Sequence, residues 1–139
     1  MNEKTFMREA VENAKKENWN YIDTSLMPRI MNYDQGAIYA DLKKMFHDKN
    51  YNVRDLAGTI AAKIRYNDLT KDQQKDLKKK LETRLNDSYT FARFRAAIAL
   101  VEHGIFDAKH IISIQNTLTE QEIRDDPELN KLAWFAIQN

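Results

Sequence analysis

The clearest hydrophobic pattern in the chain runs from Asp87 to Gly104. On a helix of about 3.6 residues per turn, apolar side chains cover nearly the whole circumference: Phe91, Phe94, Ile98 and Val101 on one side, and Ala92, Ala96, Ala99 and Leu100 on the other. Such a helix is buried between neighbours, and its alanines let them approach closely. Asp87 or Ser88 can cap its start and Gly104 can end it, so we predict an inner helix over residues 88–103. If Asp87 is the cap, its replacement by Ala should cost about 1 kcal/mol.

Helical periodicity recurs along the rest of the chain. It predicts helices over residues 3–18, from Ser25 to about Asn32, from Asp34 to the turn near Asp48, and over 51–65, 71–86, 108–118 and about 127–138. The predicted connections include 19–23 and 119–126. Helix 108–118 is expected to turn these side chains inward: Ala108, Ile111, Ile112 and Leu118. Because no stretch alternates apolar and polar residues, we predict no strand and an all-α protein of about eight helices.

Two of these helices belong to an internal repeat with a constant offset of 39 positions, as from Asp48 to Asp87. The other matched pairs are Arg54 with Arg93, Ala57 with Ala96, and Ala61 with Leu100. Each copy is preceded by an amphipathic segment, Ile38 to His47 in the first and Leu77 to Asn86 in the second. Two helices per unit at this period indicate a helical solenoid.

The matched segments, Leu42 to Ala61 and Leu81 to Leu100, resemble HEAT-like repeats. The shared features are the leucines, a turn Asp, an Arg six residues later, and small residues after it. The resemblance covers residues 36–104 well and implies a short α-α superhelix. In that family the turn Asp and the helix Arg form a ladder between adjacent repeats, which implies structural roles for Asp48, Arg54, Asp87 and Arg93. A fold of this kind implies no particular activity.

The repeat also organises the chain into parts. We expect one domain over residues 1–139, with N-terminal helices in 1–33, repeats in 34–68 and 69–104, and a degenerate C-terminal repeat in 105–139. A chain of 139 residues is long enough to bury a substantial core.

Composition narrows the partners and the setting. Lys and Arg number 22 against 21 Asp and Glu, so the net charge of +1 gives no global reason to expect a nucleic acid or an anionic membrane. Without Cys there is no disulfide and no thiolate metal site. No apolar run follows Met1, and no apolar stretch reaches the about 18 residues of a membrane span. We therefore expect no signal peptide, no membrane association and a cytoplasmic location.

Motifs of catalysis and cofactor binding are missing. The histidines, His47, His103 and His110, have no carboxylate or second His at metal-ligand spacing, and we interpret them as surface or helix-end residues. The glycines stand alone, which excludes a phosphate-binding loop, and no Ser occupies a nucleophile elbow. We therefore expect no enzyme activity, no cofactor and no metal.

Basic and aromatic side chains on the inner helices can line a concave groove. The candidates for partner binding are Arg95, Tyr51, Arg54, Arg93 and Tyr89, with Lys63 and Phe91 nearby. Arg and Tyr are common at binding hot spots. Arg54 and Arg93 have the ladder as a competing structural role. Arg95 does not match the ladder position, so it is the first choice, and Tyr51 is the second.

A second candidate surface lies on the strongly charged helix 71–86. Its basic residues are Lys71, Lys75, Lys78, Lys79 and Arg84, interrupted by Asp72, Asp76 and Glu82. Its buried seam is narrow, consisting of Leu77, Leu81 and Leu85. These cations are either the solvated face of an outer helix or a surface for phosphate backbones or an acidic partner.

We therefore expect a non-catalytic protein-binding or adaptor module that uses its concave face. One alternative is a nucleic-acid-associated protein that uses the basic helix, and another is a neutralising partner of a toxin or enzyme. A continuous positive groove would favour nucleic acid, whereas a mixed or apolar groove would favour protein. The sequence identifies neither the partner nor the oligomeric state.

Overall fold

The computed structural model describes residues 2–118, 125–127 and 131. All regular secondary structure in this part is helical, as predicted, and it contains seven α-helices where about eight were expected. The expected last helix, about 127–138, lies mostly outside the described residues, as does most of the expected loop 119–126. None of the described helices is both long and apolar enough to cross a membrane.

The N-terminal segment is more continuously helical than predicted. Helix α1 spans Glu3–Lys15, and the Asn2 side chain caps it by accepting the Thr5 N–H at 2.9 Å. Helix α2, Trp19–Tyr21, continues as a π-helix, Ile22–Leu26, and then as a 3-10 helix, Met27–Asn32. The predicted connection at 19–23 and helix start at Ser25 are therefore wrong. The physical reason is a buried stripe at helical spacing: Ile22, Leu26, Met27 and Ile30.

Two helix pairs follow, at the predicted positions. Helices α3 and α4 span Gln35–Met45 and Tyr51–Lys63, and helices α5 and α6 span Lys71–Arg84 and Thr90–Glu102. Asp34 caps α3 through the Ala37 N–H, at 2.9 Å. Thr70 and Gln73 form a reciprocal capping box at the start of α5. The last described helix, α7, spans Ala108–Leu118.

Helices at equivalent positions of the 39-residue units are neighbours. Helix α4 packs on α6 and α3 packs on α5, while each pair also packs internally. Helix α1 contacts α3 and α4, and α7 contacts α6. The core runs through all these contacts. It includes the predicted leucine seam of α5 and, as predicted for an inner helix, the α6 residues Ala92, Phe94, Ala96, Ala97, Ile98, Ala99 and Leu100.

A glycine allows α4 and α6 to approach closely. A Cβ atom placed on Gly58 would lie 2.6 Å from Arg95 Cβ and 3.0 Å from the Arg95 carbonyl carbon. Atoms in real proteins essentially never come this close, so any side chain here would push the two helices apart. The absence of a side chain at Gly58 therefore sets the separation of the inner helices.

The Asp87 carboxylate joins three helices at one end of this contact. It accepts two hydrogen bonds from Arg54 of α4, from Nε at 2.8 Å and from Nη2 at 3.1 Å, and one from Arg84 Nη1 of α5 at 3.0 Å. It also accepts the Tyr89 N–H, at 2.8 Å, directly before α6. Burial acts to raise the pKa of Asp87, but these hydrogen bonds and positive charges outweigh it and lower that pKa.

Asp87 is thus more than a helix cap, and we expect its replacement by Ala to cost more than the loss of a cap alone. Its side chain is only 1% exposed, and Tyr89 rather than Asp87 is the residue that precedes α6. Removing one partner of a buried ion pair costs about 3–5 kcal/mol because the other charge is left uncompensated. The expectation of about 1 kcal/mol counted the cap alone.

Helix α7 turns a different face inward than predicted. Its buried residues are His110, Ile114 and Thr117. Ala108 and Ile112, which were expected to be inward, are exposed, Ile112 by 77%. Two polar contacts fix this rotation: His110 with Glu82 of α5 at 2.7 Å, and Thr117 with Arg93 of α6 at 2.6 Å. Ile111 is half-buried, and the side chain of Leu118 lies outside the described part.

The Gly58 contact gives a direct test of how closely the inner helices pack. We expect Gly58→Ala to lower the free energy of unfolding by about 1–3 kcal/mol, because the added methyl group meets backbone atoms of α6. Urea denaturation followed by circular dichroism measures this change.

Gly36→Ala is the matched control, since it is also a glycine within a helix. The nearest neighbours of its Cβ would be side-chain atoms, Asp34 Oδ1 at 3.3 Å and Gln73 Nε2 at 3.8 Å. The control should keep or gain stability, by up to about 1 kcal/mol, from the better helix propensity of Ala. If Gly58→Ala is as stable as Gly36→Ala, α4 and α6 do not pack this closely.

Candidate functional site

An aromatic cluster lies where the starts of α4 and α6 meet. The ring centroids of Tyr51 and Tyr89 are 4.4 Å apart, and those of Tyr89 and Phe91 are 5.7 Å apart. Tyr51 is 47% exposed, while Tyr89, Phe91 and Trp19 of α2 are half-buried. The cluster thus presents aromatic surface to solvent, while Phe91 and Trp19 also pack against the core.

Arg95 lies beside this cluster. It is on the same face of α6 as Phe91, which precedes it by one helical turn. Its Nε atom is 3.5 Å from Oδ1 of Asp55 on α4, and its guanidinium carbon is 5.7 Å from the centre of the Phe94 ring. The Arg95 side chain is 29% exposed, so it is held by these contacts and still reaches solvent. The structure therefore brings Arg95, Tyr51 and Tyr89, three of the five predicted groove residues, to one face.

Two cavities flank Arg95 and share it as a wall. The larger, of about 290 Å³, is lined by Trp19, Asp23, Asp55, Thr59, Tyr89, Phe91 and Arg95. The smaller, of about 210 Å³, is lined by Gly58, Thr59, Ala62, Lys63, Arg95, Ile98 and Glu102. We call the two cavities and the adjoining Tyr51 the α4–α6 groove. Its lining mixes both signs of charge with aromatic and aliphatic surface.

Asp55 is the most strongly perturbed acid of this groove. The residue is only 7% exposed. Burial raises the pKa of Asp55 most, the Arg95 charge opposes this rise, and the Asp23 charge adds to it, which places the pKa at about 6. An acid with a perturbed pKa in a cleft is a candidate for a functional role.

The ladder arginines, Arg54 and Arg93, do not line either cavity of this groove and instead donate to backbone and side-chain oxygens. Arg54 Nη1 donates to the Asp48 carbonyl and Arg93 Nη1 donates to the Asp87 carbonyl, both at 2.9 Å. The two units thus make the same contact between the turn Asp and the Arg six residues later. The Arg54–Asp87 ion pair is the contact between units that the HEAT-like resemblance implies.

The basic surface of α5 is divided by the fold. Lys71, Lys75 and Lys79 are exposed on one face of the helix, and Lys78 is half-buried. Arg84 is bonded to Asp87 instead of joining this stripe. Lys80 pairs with Asp76 at 3.4 Å on the helix row beside this stripe, and Asp76 also accepts a hydrogen bond from the Tyr39 hydroxyl.

Each histidine has a different setting. His47 is exposed, as expected, and His103 Nε2 contacts the Ala61 carbonyl at 2.5 Å. His110 is at the start of α7, as expected for a helix-end residue, but it is only 2% exposed. Its Nδ1 accepts the Asp107 N–H at 3.0 Å, so Nε2 carries the proton that is donated to Glu82. No group of three or more His, Cys, Asp or Glu among the described residues could hold a metal ion.

Sequence reasoning missed these charged and aromatic residues of the groove: Asp55, Asp23, Trp19 and Glu102. Asp55 was the most detectable, because it is an acid between apolar positions of an inner helix. Asp23 and Trp19 reach the groove from the N-terminal helical segment, so no local pattern reports their approach.

The chain matches no model of a known protein family, no curated protein and no solved structure.

The raised pKa of Asp55 predicts a specific pH dependence of stability. The folded pKa of about 6 exceeds the ordinary value of 3.8, so the folded state holds this proton more tightly than the unfolded state. The resulting stabilisation is complete below the ordinary pKa and is lost as pH rises through about 6. The Asp55→Asn variant has no carboxyl group to titrate at this position, so its stability does not show this loss. We expect its stability relative to wild type to improve, by on the order of 2 kcal/mol, between about pH 4 and about pH 7.5.

Urea unfolding at several pH values measures this difference. Asp72→Asn, which changes an exposed acid on α5, is the control and should track the wild type. If the stability difference between wild type and Asp55→Asn does not vary with pH, the raised pKa of Asp55 is contradicted. Arg95 on α6 and Asp23 on the π-helix are the charged groups that face Asp55, and both stay unchanged in this comparison.

Proposed function

We propose that this chain is a short HEAT-like α-α superhelix that acts as a non-catalytic adaptor and binds a protein partner in the α4–α6 groove. The fold part of the proposal is supported by the packing of α4 on α6 and α3 on α5, at equivalent positions of the repeat. It is also supported by the Arg54–Asp87 ion pair between units. Solenoids of this kind commonly bind partners on a concave inner face.

The observation that carries the binding proposal is the composition of the groove. Partly exposed aromatic rings, at Trp19, Tyr51, Tyr89 and Phe91, surround the Arg95–Asp55 pair. Aromatic residues and Arg supply most of the hot spots in protein interfaces. A partner that covers this surface would remove aromatic area from water and would exclude water from an ion pair.

The charge of the groove favours a protein over a nucleic acid. Asp23 and Asp55 line the same cavity as Arg95, and Glu102 lines the neighbouring cavity with Lys63. Carboxylates in these positions repel phosphate groups, whereas nucleic-acid binding depends on an excess of positive charge. The lysine stripe of α5 is the rival surface, but Asp72 and Asp76 lie on the helix row beside it, and Arg84 is bonded to Asp87.

The proposed absence of catalysis is supported by how the aliphatic hydroxyl of Thr59 is engaged. Thr59 lines both cavities, and its Oγ1 donates to the Asp55 carbonyl at 3.3 Å. Its proton is therefore directed to the backbone, and Asp55 Oδ1 is directed to Arg95. This arrangement lacks the contact between nucleophile and base that covalent catalysis uses.

The proposal predicts which substitutions weaken partner binding. A partner is first isolated from the native host with the tagged chain and identified by mass spectrometry, and it is then purified. We expect Tyr51→Ala and Arg95→Ala each to weaken its binding about tenfold or more in calorimetric titrations. Tyr51 is exposed, so its replacement tests binding without disturbing the core.

The matched control is the triple variant Lys75/Lys78/Lys79→Ala, titrated at low and moderate salt. In our proposal it binds like the wild type at moderate salt. Loss of binding in this variant alone, with affinity that falls steeply with salt, would reject the groove in favour of the basic helix. Unchanged binding in every variant would reject both surfaces. Thermal melts of each variant show that the fold is kept.

A further inference from the structure

The larger cavity of the groove has aromatic walls and a charged interior. Trp19, Tyr89 and Phe91 provide aromatic walls. Asp55 is buried within it, and Asp23 lies at its exposed rim. Arg95 closes the side that faces the smaller cavity. Aromatic surface therefore surrounds a site where carboxylates converge.

The charges in this cavity determine whether a bound group should be positive or negative. Among the described residues that line the cavity, the charged groups are the Asp23 and Asp55 carboxylates and the Arg95 guanidinium, which together carry one net negative charge when all three are ionised. Electron-rich aromatic faces also attract cations, by about 0.5–2 kcal/mol each. Both contributions favour a positively charged group and disfavour an anion.

The size of the cavity limits the occupant. Its volume of about 290 Å³ lies just below the range of small-molecule sites, about 300–1,000 Å³. The site adjoins the exposed Tyr51 and the rest of the groove, where a partner chain would continue. One long side chain of a bound protein fits these dimensions better than a large free ligand.

We propose that this cavity binds a positively charged side chain, Arg or Lys, that projects from the protein partner. The inference rests on the proposed function, since it names the group by which a partner is anchored in the α4–α6 groove. The Asp55 and Asp23 carboxylates accept hydrogen bonds from the incoming cation, and the aromatic rings pack against its alkyl or guanidinium part. Arg95 stays beside Asp55 and shares that carboxylate with the newcomer.

The electrostatics of Asp55 are consistent with this role. Burial and the nearby Asp23 charge raise its pKa, and Arg95 compensates for this only in part. A second cation would stabilise the ionised carboxylate further. In the free cavity, the negative charge of Asp55 is therefore compensated only in part. A cationic side chain of the partner supplies the additional positive charge.

The test uses a pair of small probes that differ in charge and hardly in shape. N-acetyl-arginine methylamide carries the cation, and N-acetyl-citrulline methylamide replaces the guanidinium by a neutral urea group. Each is titrated, up to about millimolar concentrations, into the whole ¹⁵N-labelled chain, and the Trp19 indole signal is followed by NMR. We expect saturable shifts with the arginine probe and at least about tenfold weaker binding of the citrulline probe.

Three variants assign the effect to the cavity. Asp55→Asn and Asp23→Asn should each weaken binding of the arginine probe about tenfold. Glu102→Gln removes an acid from the smaller cavity and should leave the affinity within about twofold of wild type. Asp23 is exposed, so its variant keeps the test valid even if Asp55→Asn disturbs folding.

The outcomes separate this inference from the proposed function. No saturable shift with the arginine probe, or equal binding of the two probes, would overturn the cationic anchor. The adaptor proposal would then stand or fall with partner binding to Tyr51→Ala and Arg95→Ala. Charge-selective binding that is lost in both Asp variants and kept in Glu102→Gln would support the anchor.

Discussion

The buried carboxylate of Asp87 is the contact on which the arrangement of the helices depends most. Its oxygens accept hydrogen bonds from Arg54 of α4, from Arg84 of α5 and from the Tyr89 N–H before α6. A buried charge is stable only when partners replace its lost water. Arg84 and Tyr89 belong to the same unit as Asp87, whereas Arg54 comes from the other unit, so the Arg54 hydrogen bonds require the two units to lie in this relative position. That position lays α6 on α4, where Gly58 leaves room for the α6 backbone.

The proposed site follows from this position. The close contact of α4 and α6 places Arg95 beside Asp55 and the Tyr89 ring against Tyr51, so each unit supplies half of the groove. The N-terminal segment completes the larger cavity with Trp19 and Asp23. Helices α4 and α6 thus carry both the residues that join the two units and the residues that face solvent. The solvent-facing site is therefore built on rigid elements.

Local patterns predicted the helices, and the repeat predicted which of them meet. The offset pairs Arg54 with Arg93, and the HEAT-like resemblance implied the Arg54–Asp87 contact and left Arg95 as the arginine without a ladder role. Contacts between segments without a shared pattern could not be predicted. Examples are the His110–Glu82 hydrogen bond that sets the rotation of α7, and the approach of Trp19 to the groove. Both depend on tertiary packing, which periodicity within one segment does not record.

A double-mutant cycle on Arg54 and Asp87 measures most directly whether this ion pair holds the two units together. The free energies of unfolding of wild type, Arg54→Ala, Asp87→Ala and the double variant are compared under one set of conditions. A buried pair that joins two units should give a coupling free energy of about 2 kcal/mol or more. A coupling below about 0.5 kcal/mol, as for an exposed ion pair, would contradict the role assigned to Asp87.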